Sequence, residues 1–130
     1  MLKAEGTFSG LSVDDLGKAK QFYTQVLGLV LENETMGLQL KLPDSGTLFI
    51  YPKNNHQPAT FTVLNFVVEN IDNAVSELTK LGVKFERYDN MSSKQDGKGI
   101  LRGLSVNQGP DIAWFKDPAG NILSVIQDKE

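Results

Sequence analysis

The sequence predicts an α+β fold made of two βαβββ modules, and three observations carry that prediction. An apolar strand pattern runs into a capped helix twice, each helix stops at a glycine, and each is followed by short β-type runs with turn residues between them. Laid over one another, Val13-Asp14-Asp15-Leu16 matches Val68-Glu69-Asn70-Ile71, Ala19 matches Ala74, and Leu27-Gly28-Leu29 matches Leu81-Gly82-Val83. The first helical stretch holds one residue more than the second. Self-similarity at half the chain length is a statement about structure, because each half must then be one supersecondary unit.

In chain order, residues 11–13 read as a short apolar strand, and Asp14 and Asp15 are candidate caps whose side chains can accept from first-turn amides. Leu16, Ala19, Phe22, Tyr23, Val26 and Leu27 recur at helical spacing, and Gly28 supplies the usual C-terminal stop. Runs at 29–33, 36–42 and 47–51 complete the first module, with Pro43, Asp44, Ser45 and Gly46 as the hairpin turn. The second module opens on a buried strand at 61–68, caps on Asn70 or Asp72, and shows the stripe Ile71, Ala74, Val75, Leu78 and Leu81 before Gly82. β-type runs at 83–88, 100–106, 112–116 and 121–126 follow, the last two joined by the turn Asp117-Pro118-Ala119-Gly120. Residues 52–60 and 90–99 are polar and expected to be mobile. One domain over 1–130 is expected, with modules at about 5–53 and 60–128.

Composition narrows the function. With 40% hydrophobic and 22% charged residues among 130, the chain is ordinary globular material. No apolar stretch approaches the ~20 residues of a membrane-spanning helix, and the start lacks a basic segment followed by an apolar run, so an unprocessed cytoplasmic protein is expected. The absence of cysteine excludes disulfides, thiolate nucleophiles and sulfur-ligated zinc, and a single histidine leaves few routes to a metal site. A net charge of -3, with lysine and arginine scattered, argues against nucleic acid and acidic membranes as partners.

The order strand, helix, three strands, repeated, joins Val13-x-Asp15-Leu16, Phe22-Tyr23-x-x-Val26-Leu27-Gly28-Leu29 and Asp117-Pro118-x-Gly120-Asn121. Over almost the whole chain this combination resembles the vicinal-oxygen-chelate superfamily of glyoxalases, extradiol dioxygenases and bleomycin-resistance proteins. The resemblance implies a cupped mixed sheet with helices on its outer face, small ligands in the cup, and a homodimer. It also implies a divalent metal held by His or Glu from four strands. Matched motif by motif, those positions fall on Phe8, Val63 and Ser124, with the fourth somewhere in Leu48, Phe49, Ile50 and Tyr51. None of these carries a carboxylate or imidazole, so no metal and no other cofactor is expected.

Strand alternation sends Val63, Asn65 and Val67 to the cup side of the strand at 61–68. The same parity sends Phe8, Gly10 and Ser12 there from the first strand, and Ile122, Ser124 and Ile126 from the last. Asn65 is then an amide in an apolar cavity, which either ties strands together or meets a ligand. Trp114, the sole tryptophan, reads as a stacking wall or as plain core, and Tyr51 as a cavity phenol or an edge residue. Arg102 reads as a clamp for an anionic ligand or as an ion-paired surface group. The ligand-lining set is therefore Phe8, Tyr51, Val63, Asn65, Arg102, Trp114 and Ser124. His56, inside Asn54-Asn55-His56-Gln57-Pro58, reads as a solvated loop residue rather than a ligand or base. Asp96-Gly97-Lys98-Gly99 lacks the spacing of a phosphate loop.

Three functions compete on this sequence. The first is a metal-independent small-molecule binding protein. The second is a lyase, isomerase or dioxygenase that works without the usual metal, and the third is a metalloenzyme completed by a partner chain's His56. The binding protein needs no catalytic groups, and no residue here shows an evident reason to be an activated base, which places it first.

Overall fold

The computed structural model describes residues 1–44, 46–88 and 95–130. The chain forms two compact units, Met1–Pro58 and Ala59–Glu130, and the division falls inside the polar linker.

In the first unit, strand β1 (Ser9–Val13) leads into helix α1 (Leu16–Gln21), then β2 (Val30–Asn33), β3 (Leu38–Lys41) and β4 (Thr47–Pro52). Of the two candidate caps, Asp15 does the work, accepting from Lys18 N at 3.0 Å. Beyond α1 the chain does not simply continue as α-helix but widens into a π turn at Phe22–Val26, where Leu27 N donates to Phe22 O, five residues back. The i→i+5 spacing accommodates one extra residue per turn. It absorbs the residue by which the first helical stretch exceeds the second, and so Tyr23 still lands fully buried. Gly28 follows at φ 74°.

The strand order is β1-β4-β3-β2, with β1 parallel to β4 and the other pairs antiparallel. Register places Ile50 between Leu11 and Leu38, and α1 packs on β4. Leu11, Val13, Leu38, Leu40, Leu48 and Ile50 join Ala19, Tyr23 and Leu29 as the core of this unit. The intervening positions form the helix-free face.

The second unit repeats the plan as β5 (Thr62–Val67), α2 (Ile71–Lys80), β6 (Leu101–Arg102), β7 (Asp111–Lys116) and β8 (Ile122–Gln127), ordered β5-β8-β7-β6. Asn70, not Asp72, caps α2, accepting from Asn73 N at 3.0 Å, and Gly82 ends it at φ 96°. Asp117 organises the β7–β8 turn, its carboxylate accepting from the backbone of Ala119 and Asn121 and from the Asn121 amide at 2.9 Å each. Ala113, Phe115, Leu123 and Val125 are buried with Ile71 and Val75 of α2, which packs on β7 and β8.

Two expected strands are corrected. Residues 83–88 form none; they touch the sheet through Glu86 N, which donates to Trp114 O at 2.8 Å, while the Gln95 side chain takes up Tyr88 N and Glu86 O. The run at 100–106 is strand only at Leu101–Arg102. At Gly103 the carbonyls of Gly109 and Pro110 stand where a side chain would begin, and the chain coils into a 3₁₀ turn at Leu104–Val106. The mobile segment expected at 90–99 lies outside the described residues up to 94. From Gln95 to Gly99 it is tied down by Asp96, which accepts from Lys98 N and Ile100 N at 2.9 Å. No helix among the described residues is long and apolar enough to cross a membrane.

Candidate functional site

On the helix-free face of the second unit, register lines up Asn65 on β5, Ser124 on β8 and Trp114 on β7. Ser124 is fully buried, and its hydroxyl donates to Asn65 Oδ1 at 2.5 Å. Asn65 itself is exposed, so its oxygen satisfies the serine while its amide nitrogen still carries two donors. Trp114, half-buried, donates from Nε1 to Thr62 Oγ1 at 3.0 Å. Thr62 reaches this face because the β5–β8 register shifts between Thr62 and Leu64, placing Thr62 opposite Ile122 and Val63 opposite no residue. Simple alternation from the sequence assigned Val63 to the face and passed over Thr62. The Tyr88 ring meets Trp114 edge to face with centroids 5.5 Å apart. Burial, followed by the charge of Glu86, raises the Tyr88 pKa and keeps this phenol protonated.

The first unit has a matching aromatic face. Phe49 and Tyr51 project from β4 opposite Gly10 and Ser12 of β1, whereas Leu48 and Ile50 point into the core. Phe49 stacks on Tyr51 at 6.0 Å and meets the ring of Phe8 edge-on at 6.4 Å. Phe8 precedes β1 and is 70% exposed. Gly6, Thr7, Phe8, Gln39, Thr47 and Phe49 line a hollow of about 590 Å³ on this unit.

Arg102 does not join the residues around Trp114. It pairs with Asp111 across the β6–β7 ladder, on the face of Ala113 and Phe115, and its guanidinium is taken up by three carboxylates. Asp72 of α2 accepts two of its bonds, at 2.7 and 3.1 Å, Asp96 one at 3.0 Å and Asp111 one at 3.4 Å. Hydrogen bonds from Arg102, then from Lys98, hold the Asp72 carboxyl down to about 2. Burial works against the charge on Asp96, yet backbone amides of Ile100 and Lys98 and the guanidinium still lower its pKa. Arg102 is thus the ion-paired group of the two readings, clasping α2 to the sheet.

His56 is not the solvated loop residue that its polar neighbours suggest. It is half-buried, and Nδ1 lies 2.7 Å from Ser12 Oγ. The family model for the glyoxalase/bleomycin resistance protein/dioxygenase superfamily matches residues 7–125. The chain belongs to that superfamily. No curated protein matches it. Solved structures of the same fold include an integron cassette protein from the mobile metagenome of Halifax Harbour Sewage Outfall, 23% identical at a TM-score of 0.67, covering 95% of this chain and 99% of that one. The antibiotic binding protein TnmS3 from Streptomyces sp. CB03234 is 20% identical at a TM-score of 0.64, covering 98% and 99%. The fosfomycin resistance protein FosX from Listeria monocytogenes is 14% identical at 0.68, covering 97% and 94%.

The superfamily's metal can be tested against the donors present. The matched positions Phe8, Val63 and Ser124 offer no imidazole or carboxylate, and of 48–51 only Phe49 and Tyr51 reach the helix-free face. Among the described residues no group of three or more His, Asp or Glu side chains converges on a point that could hold an ion. This donor set does not fit the superfamily's metal.

Proposed function

We propose that this member of the glyoxalase/bleomycin resistance superfamily is a metal-independent small-molecule binding protein. The observation that carries the reading is the polar pair Asn65–Ser124 set beside Trp114 on the helix-free sheet face. An indole wall gains stacking and apolar burial from a flat ligand, and one amide with free donors fixes its orientation. Phe8, Phe49 and Tyr51 offer a planar ligand the same kind of surface in the first unit. Val63 keeps a place in the proposal as an apolar neighbour on β5, while Arg102 leaves it. That one structural relative is an antibiotic binding protein and another a fosfomycin resistance protein is consistent with such a role. We place the protein in the cytoplasm with no cofactor.

The test is a thermal-shift screen of small aromatic and thiol-conjugated metabolites, since a ligand that binds only the native state raises the melting point. Hits are then titrated by the fluorescence of Trp114, the chain's single tryptophan. Affinity is expected to be unchanged after dialysis against a chelator, and Asn65→Leu is expected to weaken binding by about 1–2 kcal/mol. That variant strands the buried Ser124 hydroxyl, so Asn65→Leu with Ser124→Ala should recover stability but not affinity. Hits whose affinity collapses on chelation, or is indifferent to both variants, would refute the proposal.

We further propose a homodimer, because among the described residues β1 and β2 in one sheet and β5 in the other are edge strands whose backbone groups invite cover. Light scattering at micromolar concentration should return twice the chain mass; a monomer mass would exclude it.

A further inference from the structure

Ser12 and His56 are brought together by two independent constraints in the first unit. Ser12 sits on β1 opposite Tyr51. The linker that bears His56 is fastened to the same strand, since Lys53 N donates to Val13 O at 2.9 Å and His56 N to Lys53 O at 3.1 Å. The result is a hydroxyl 2.7 Å from an imidazole nitrogen, both half-buried, at the end of the aromatic face. Gly10, two residues earlier on β1, has no side chain, and a Cβ there would stand 3.7 Å from Phe49 O and 4.0 Å from the Tyr51 ring. The glycine therefore leaves the approach to these rings open on the strand that carries the hydroxyl.

We propose that Ser12 and His56 form a nucleophile–base pair that accepts an acyl group from small aryl esters. A hydroxyl is a weak nucleophile on its own and is activated by a base within hydrogen-bond reach. In the neutral imidazole protonated on Nε2, Nδ1 accepts the Ser12 proton as Oγ attacks the ester carbonyl carbon. The bond to the aryloxy group breaks, and the leaving oxygen takes that proton to depart as the phenol. Water then adds to the acyl-serine with the same nitrogen as base, releasing the carboxylic acid and restoring both side chains. The stacked rings of Phe49 and Tyr51 suit a planar leaving group. Every residue this activity uses belongs to the first unit, and Asn65 takes no part in it.

The absence of cysteine makes a clean experiment. Wild-type protein is treated with 4-nitrophenyl acetate and mapped by mass spectrometry. One acetyl group on Ser12 is expected, absent in Ser12→Ala and formed at least about tenfold more slowly in His56→Gln. In a second arm Ser12→Cys introduces the chain's only thiol, which iodoacetamide should alkylate about tenfold faster with His56 present than with His56→Gln. Melting temperatures establish that each variant is folded, and the wild-type map needs no variant at all. A purely structural hydrogen bond would lower the melting point of the variants while leaving Ser12 unacetylated. No acetyl on Ser12, acetyl on lysines alone, or a thiol indifferent to His56 would each overturn the proposal.

Discussion

Phe115→Ala is expected to destabilise the second unit by about 3–5 kcal/mol, the range for removing a fully enclosed phenylalanine. Phe115 is 0% exposed, on the β7 face that α2 covers, and packs edge to face against Phe85 with ring centroids 5.6 Å apart. Its ladder partner Leu123 is likewise 0% exposed, so the cavity has little freedom to collapse. A domain with only about 5–15 kcal/mol in hand would be left marginal. Urea unfolding followed by Trp114 fluorescence measures this directly. A loss under about 1 kcal/mol would mean that Phe115 is not the keystone of this core.

Arg102→Met should come next, at about 2 kcal/mol near neutral pH, because it leaves Asp72, Asp96 and Asp111 facing one another without their common cation. The figure is set below that for a buried pair because the side chains of Arg102 and Asp72 are 34% and 43% exposed and partly screened. The pH dependence has a defined sign. Asp72 falls from 3.8 to about 2 on folding, so its contribution is complete above the unfolded value and is lost as acid carries it through the folded one. The lowered Asp96 acts in the same direction. Wild type should therefore lose stability between about pH 4 and pH 2, and Arg102→Met should lose markedly less over that window. Equal slopes in the two proteins, or an unchanged midpoint at pH 7, would show that the clasp contributes nothing.

Much of this molecule was legible in the order of its residues. Caps, glycine stops and the Asp117 turn are local devices, decided by backbone amides within a few residues, and each was found where its residue type pointed. The alternation that put Asn65 and Ser124 on one face held because β5 is regular from Leu64 onward in its pairing with β8, while the face taken by Trp114, left open by the sequence, was settled by its pairing with Ser124. Even the extra residue of the first helical stretch announced itself in the repeat, though not the π turn that absorbs it.

What the sequence alone determined, then, was two βαβββ modules, membership of a superfamily, and a set of matched positions without metal donors. Tertiary structure alone decided the rest. The shift at Thr62 gave Trp114 its partner, three carboxylates made Arg102 an ion-paired group, and His56 came to rest on Ser12, 44 residues away. Periodicity reports which face a side chain takes when pairing is regular, but a register shift is set by the partner strand. Likewise, a charged or titratable side chain acquires its role from neighbours distant in sequence, and no local pattern encodes those neighbours.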